Sequence, residues 1–175
     1  MALDPQVEKI LYWVERAGAP SFAALGAPLA RAAYEKACLT LDVAQRPMHE
    51  VLDHRLALPG RTITVRQYAP RATSWADPMP ALLFFHGGGF TIGSIDTHDR
   101  VCRMLAAGGE CLVYSVDYRL APEHRFPSAQ DDAFESLAWL RDEAVALGVD
   151  PARIAVGGDS AGGTLAAASA IHARD

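Results

Sequence analysis

An α/β protein with a mostly parallel sheet and helices on both faces is the fold class this sequence predicts. Short apolar runs suited to buried strands alternate with helix-period segments from residue 81 onward, an order that demands crossover connections. A Pro-Gly hairpin precedes them, and glycine clusters directly follow two of the apolar runs. Ahead of all of these lies a helical segment with no strand of its own.

That segment comes first in the chain. Over residues 4–17 the apolar positions Val7, Ile10, Leu11 and Val14 recur at helical spacing, with Asp4 placed as N-cap, Pro5 at the first helical position, and Gly18 and Pro20 as terminators. A second helix is expected over 21–41, broken near Gly26 and Pro28, before a loop at Arg46 and Pro47. Residues 1–46 are therefore expected to form a distinct N-terminal helical segment, and 47–175 the α/β portion of the chain.

The strands follow. Residues 51–58 and 62–68 flank Pro59-Gly60 as a hairpin, and 81–85 is a continuous apolar run. A helix from His98 to about residue 107 is expected to close at Gly108-Gly109, and 111–116 to form the next buried strand. A helix over 128–147 carries Ala133, Phe134, Leu137, Leu140 and Ala144 on one stripe. Asp150-Pro151 should then turn the chain into a strand at 153–156, with a last helix starting just after Ser160.

Composition narrows the function classes. The 175 residues are 50% hydrophobic and 21% charged with a net charge of −5, which fits a globular domain and argues against a nucleic-acid or anionic-membrane partner. No apolar stretch is long enough to span a bilayer and residues 1–10 lack a signal-peptide pattern, so a cytoplasmic location is expected. Cys38, Cys102 and Cys111 show no metal-ligand spacing and are expected to be reduced thiols.

Chemistry is concentrated after two strands, where an open parallel sheet places its active groups. The strand at 153–156 runs into Gly157-Gly158-Asp159-Ser160-Ala161-Gly162-Gly163, which contains G-x-S-x-G. That spacing suits a tight strand-to-helix turn that lifts the serine hydroxyl above the sheet, with Ala161 N–H at the helix amino end aimed where an oxyanion would form. The strand at 81–85 runs into His86-Gly87-Gly88-Gly89-Phe90, whose glycines allow backbone N–H groups to turn inward. Gly88 and Gly89 are the expected donors beside Ala161, with Gly87 a turn residue and His86 an orienting hydrogen-bonder.

Together with Asp117-Tyr118-Arg119-Leu120-Ala121-Pro122-Glu123-His124-Arg125-Phe126-Pro127, these motifs resemble the bacterial hormone-sensitive-lipase-like carboxylesterases of the α/β-hydrolase fold. The resemblance spans about residues 81–164 and implies a serine esterase for short to medium acyl esters that needs no cofactor. Asp117 and Arg119 are expected to brace the glycine loop as a charged pair. Phe90, beside the oxyanion hole, and Tyr34, with Phe22, Leu25 and Leu29 on the N-terminal helices, are candidate substrate-binding residues.

The triad order in this fold is serine, then acid, then histidine. After Ser160 the chain holds only His172 and Asp175 of those types. Twelve helical residues at about 1.5 Å each put His172 about 18 Å away from Ser160, so it is not expected to be the base. The chain thus looks like the N-terminal portion of a longer enzyme, with the acid and histidine expected from a complementary C-terminal segment or chain; alone it is expected to be inactive. A homodimer is a further expectation for its partners. A different class on the same scaffold is a non-catalytic small-molecule binder, since plant gibberellin receptors resemble this family and keep both glycine motifs without a working histidine; an inactive fragment is the third reading.

Overall fold

The computed structural model describes residues 3–41 and 43–174, so Met1, Ala2, Asp42 and Asp175 lie outside the described residues. Helix α1 (Pro5–Ala17) starts where expected. The Asp4 carboxylate accepts from Gln6 N–H at 2.8 Å and Gly18 closes the helix in the left-handed region, but no α1 residue is buried. In α2 (Phe22–Leu41) the expected break falls at Gly26, with φ 69° and ψ 162°. Pro28, two residues on, can donate no helical hydrogen bond, and glycine supplies the backbone freedom to turn there.

Five strands form one sheet: β1 (Glu50–Leu58), β2 (Arg61–Ala69), β3 (Met79–Phe85), β4 (Leu112–Asp117) and β5 (Val149–Gly158), in the order β1-β2-β4-β3-β5. β1 and β2 pair antiparallel around the hairpin, with Leu58 opposite Arg61, and β2 runs antiparallel to β4. β4, β3 and β5 are mutually parallel, which makes the chemically relevant half of the sheet the parallel half.

The helices cover both faces. α3 (Asp99–Gly109) packs on β2 and β4, while α4 (Ser128–Asp142) and α5 (Ala161–Arg174) pack against each other and the opposite face. Alternation along β3 shows why its run is apolar throughout. Leu83 and Phe85 enter the larger core with Leu140 and Leu165, whereas Phe84 joins Cys102, Ala106 and Val113 beneath α3.

Three boundaries differ from expectation. Glu110, at φ 48°, takes the left-handed cap of α3 and donates to the Ala106 carbonyl, so Gly108 and Gly109 stay inside the helix they were expected to end. α4 stops at Asp142, and the chain turns through Gly148, at φ 67°, into a strand that begins at Val149. Asp150 and Pro151 therefore lie within β5 and not in a turn before it. A proline is tolerated there because β5 is the edge of the sheet among the described residues, leaving one side of its backbone without a strand to pair. For the same reason Ile154 and Val156 are only half-buried, where their apolar pattern predicts a central strand.

Candidate active site

Ser160 stands in the gap between β5 and α5 with φ 52°, a left-handed conformation that L side chains rarely adopt. Its side chain is exposed above the carboxyl edge of the sheet. The two motif glycines are there because backbone crosses at each of them. A Cβ on Gly158 would lie 2.5 Å from Gly162 C, and one on Gly162 would lie 2.6 Å from Phe85 C and 2.7 Å from His86 O. The turn is thus wedged against the end of β3, which is its neighbour in the sheet. Ala161 opens α5, where the first N–H groups have no carbonyl acceptor within the helix.

The glycine loop lies directly beside this turn. Gly88, Gly89 and Phe90 have φ of 122°, 59° and 60°, three successive positive values that reverse the chain after β3. Gly87 N–H is taken, donating to the Asp159 carboxylate at 2.8 Å. Gly88 and Gly89 N–H donate to no protein acceptor among the described residues, while the Gly88 carbonyl accepts from Thr91 and Ile92 N–H at 3.0 and 2.9 Å. Gly162 N–H donates to the Asp159 carbonyl at 2.8 Å, so the donors left unoccupied around Ser160 among the described residues are those of Gly88, Gly89 and Ala161.

His86 is fully buried, with its ring stacked on Tyr118 at 4.3 Å and Nδ1 on the Gly87 carbonyl at 2.8 Å. Tyr118 donates its hydroxyl to the His86 carbonyl at 2.6 Å. Burial, only partly offset by the hydrogen bond to Gly87, lowers the His86 pKa to about 4, so the imidazole is neutral near pH 7 and holds the loop.

Asp159 and His98 escaped the sequence reading. Asp159 joins the serine turn to the glycine loop through Gly87, and His98 Nε2 lies 3.3 Å from the same carboxylate while its Nδ1 faces the Thr97 hydroxyl at 2.9 Å. The one available signal was an acid immediately before the serine.

The expected Asp117–Arg119 brace does not form. Arg119 instead pairs with the fully buried Asp132 of α4, which takes Arg119 Nε at 3.0 Å, Arg119 N–H at 2.9 Å and Arg61 Nε at 2.6 Å. A buried carboxylate requires such partners, and α4 brings it to the strand end where two arginines already sit.

No histidine is brought to Ser160 among the described residues. His172 is stacked on Phe134 at 4.1 Å near the far end of α5, His54 is held by Gln67, and His124 stands on the exposed loop after β4.

Two cavities meet at the glycine loop. One of about 460 Å³ is lined by Gly89, Phe90, Ala121, Phe126 and Leu165, and a second of about 330 Å³ lies under α2 between Phe22, Ala27, Ala30, Gly88 and Ile92. Phe90 thus faces the first. Tyr34 lines neither and packs edge-on against Phe22 at 6.0 Å, and Leu29 points to solvent. A larger polar groove is lined in part by Thr64, Asp96 and Arg119.

Among the described residues no helix is long and apolar enough to cross a membrane. Residues 82–175 match a family described as alpha/beta hydrolase fold. Esterase LipI of Mycobacterium tuberculosis is 45% identical over 137 residues, covering 77% of this chain and 43% of that protein. An arylesterase of Saccharolobus solfataricus is 38% identical over 176 residues, covering 100% of this chain and 56% of its own length. The solved structure of a hyperthermophilic esterase from the archaeon Pyrobaculum calidifontis superposes with a TM-score of 0.93 at 43% identity, over 100% of this chain and 55% of that one. The chain spans about half the length of the curated relatives it matches. A serine turn wedged against a glycine loop at the carboxyl edge of a parallel sheet, matched in sequence and backbone to esterases, places this chain in the alpha/beta hydrolase fold family.

Proposed function

We propose that the chain carries the nucleophile and oxyanion half of a carboxylic-ester hydrolase. The observation that carries this reading is the left-handed, exposed Ser160 beside the unoccupied N–H groups of Gly88 and Gly89. Ser160 Oγ attacks the ester carbonyl, and Gly88, Gly89 and Ala161 N–H hold the resulting oxyanion. A histidine oriented by a carboxylate takes the serine proton and returns it to the leaving alcohol; water then hydrolyses the acyl-serine. Histidine and acid are assigned to a complementary C-terminal segment, a reading supported by the absence of a histidine at Ser160 among the described residues and by relatives about twice as long.

The two cavities divided by the glycine loop suit the two arms of a small-molecule ester, with Phe90 lining one and Phe22, backed by Tyr34, the other. The preference for short to medium acyl chains rests on the family resemblance. Residues 1–46 are proposed to act as a cap over this site.

The test is labelling and turnover. The chain alone is expected to give no burst with p-nitrophenyl butyrate and little fluorophosphonate labelling at Ser160. Joined to the carboxyl-terminal portion of a matched esterase, it should show both, and Ser160→Ala should abolish them. Rapid stoichiometric labelling of the chain alone would overturn the assignment of the base; a folded, joined protein with neither signal would overturn the esterase reading.

A further inference from the structure

The glycine loop is held at three points, and one of them is a side chain from the cap. Gly87 N–H is fixed by Asp159 and Phe90 O accepts from Ala121 N–H at 2.8 Å. At the third, Arg31 of α2 donates Nε to the Thr91 carbonyl at 2.7 Å, across 60 residues of sequence. The same guanidinium donates to the Ala121 carbonyl at 2.7 Å and forms a two-pronged pair with Glu123 at 2.6 and 3.0 Å. Arg31 thus touches the loop directly through Thr91 and indirectly through Ala121, the residue that holds Phe90.

Between those fixed points lie Gly88 and Gly89, whose missing Cβ atoms leave the backbone few steric limits of its own. Thr91 and Ile92 N–H both close on the Gly88 carbonyl, so the orientation of the Gly88–Gly89 peptide follows the position of Thr91. We infer that Arg31 is a positioning residue for the oxyanion donors: its planar fork makes the N–H geometry of Gly88 and Gly89 depend on α2 being docked. The inference deepens the ester-hydrolase reading and rests on it for the word oxyanion. Lysine cannot replace the fork, because a single ammonium cannot serve two divergent carbonyls and a carboxylate in one plane.

Apolar packing of α2 is thin among the described residues: Ala30, next to Arg31, is its one buried apolar residue, and the 330 Å³ cavity lies between Phe22 and Ala27 and the loop. The arginine therefore carries information between cap and loop that apolar packing does not.

Amide exchange in this chain, followed by mass spectrometry, tests the inference without requiring turnover. Arg31→Met should speed exchange of the Gly87, Thr91 and Ile92 amides, the hydrogen-bonded ones of the loop, about tenfold or more while leaving β3 and α5 unchanged, since charge-assisted hydrogen bonds to two carbonyls are lost. Arg31→Lys, which keeps the charge and the fold, should show most of that effect, and Glu123→Gln should stay within about twofold of the original chain because both carbonyl bonds remain. Loop exchange unchanged in Arg31→Met and Arg31→Lys, or acceleration spread evenly over the whole chain, would overturn the inference. So would an equal effect in Glu123→Gln, which would assign the hold to the surface ion pair. In the joined protein the matching result is a kcat for p-nitrophenyl butyrate lowered about tenfold or more with KM within about twofold, the pattern of lost transition-state contacts. Absence of turnover in the unsubstituted joined protein refutes the esterase reading and leaves the exchange result to decide the clamp.

Discussion

Two neighbouring glycines of the serine turn should respond oppositely to the same added methyl group. At Gly162 the new Cβ would lie 2.6 Å from Phe85 C and 2.7 Å from His86 O, with Phe85 O closer still. Ordinary heavy-atom contact is about 3.5 Å, so α5 and the end of β3 would have to part by well over ~1 Å. Neither side yields easily. Phe85 and His86 are fully buried, and Phe85 pairs with Gly158 in the sheet. The cost of Gly162→Ala is therefore placed at the upper end of overpacking, about 3 kcal/mol. At Gly163 the nearest atom to a new Cβ is Gly158 O at 3.3 Å, a gap that a few tenths of an ångström relieve. Alanine's helix preference returns about 0.5–1 kcal/mol there, so Gly163→Ala should be neutral or slightly stabilising. Urea denaturation of the two variants, followed by far-ultraviolet circular dichroism, measures the difference directly. Equal midpoints would refute the argument that the first glycine is required by backbone crossing.

Two further outcomes follow from the same site. Ser160→Gly should raise stability by about 1 kcal/mol by relieving the left-handed strain at φ 52°, while removing all fluorophosphonate labelling of the joined protein; a loss of stability would show that the serine is not strained. His86 should make stability depend on pH between 6.5, its ordinary value, and about 4, its value when buried. The unfolded chain takes up a proton in that window that the folded chain refuses, so stability is full above the window and is lost as pH falls through it. The full effect is about 3 kcal/mol, and His86→Asn, which can keep the donor to Gly87 O, should flatten the slope of urea midpoint against pH.

The local half of this site was legible in the residues. Gly158, Ser160, Gly162 and the glycines after β3 announce a tight turn and a reversing loop because those conformations are closed to most other residues within a few positions. The first helix was legible for the same reason, since Asp4 and Pro5 act on the turn that follows them. Boundaries slipped where tertiary context prevailed. Pro151, which reads as a breaker, is accommodated by an edge strand, and Glu110 outcompeted two glycines for the cap of α3.

The braces were not legible, because their partners lie far apart in the chain. Arg31 meets Thr91 and Glu123, Asp159 meets Gly87, and Arg119 meets Asp132 in place of the nearby Asp117. Nothing at any one of those positions specifies the other. From the sequence alone came the fold class, the serine turn, the glycine loop and the family resemblance, all of which rest on short-range backbone requirements. Only the tertiary structure decided which donors remain unoccupied and what holds them, because the strand order β1-β2-β4-β3-β5 sets the end of β3 between the ends of β4 and β5 and lets an arginine of α2 reach the loops after β3 and β4.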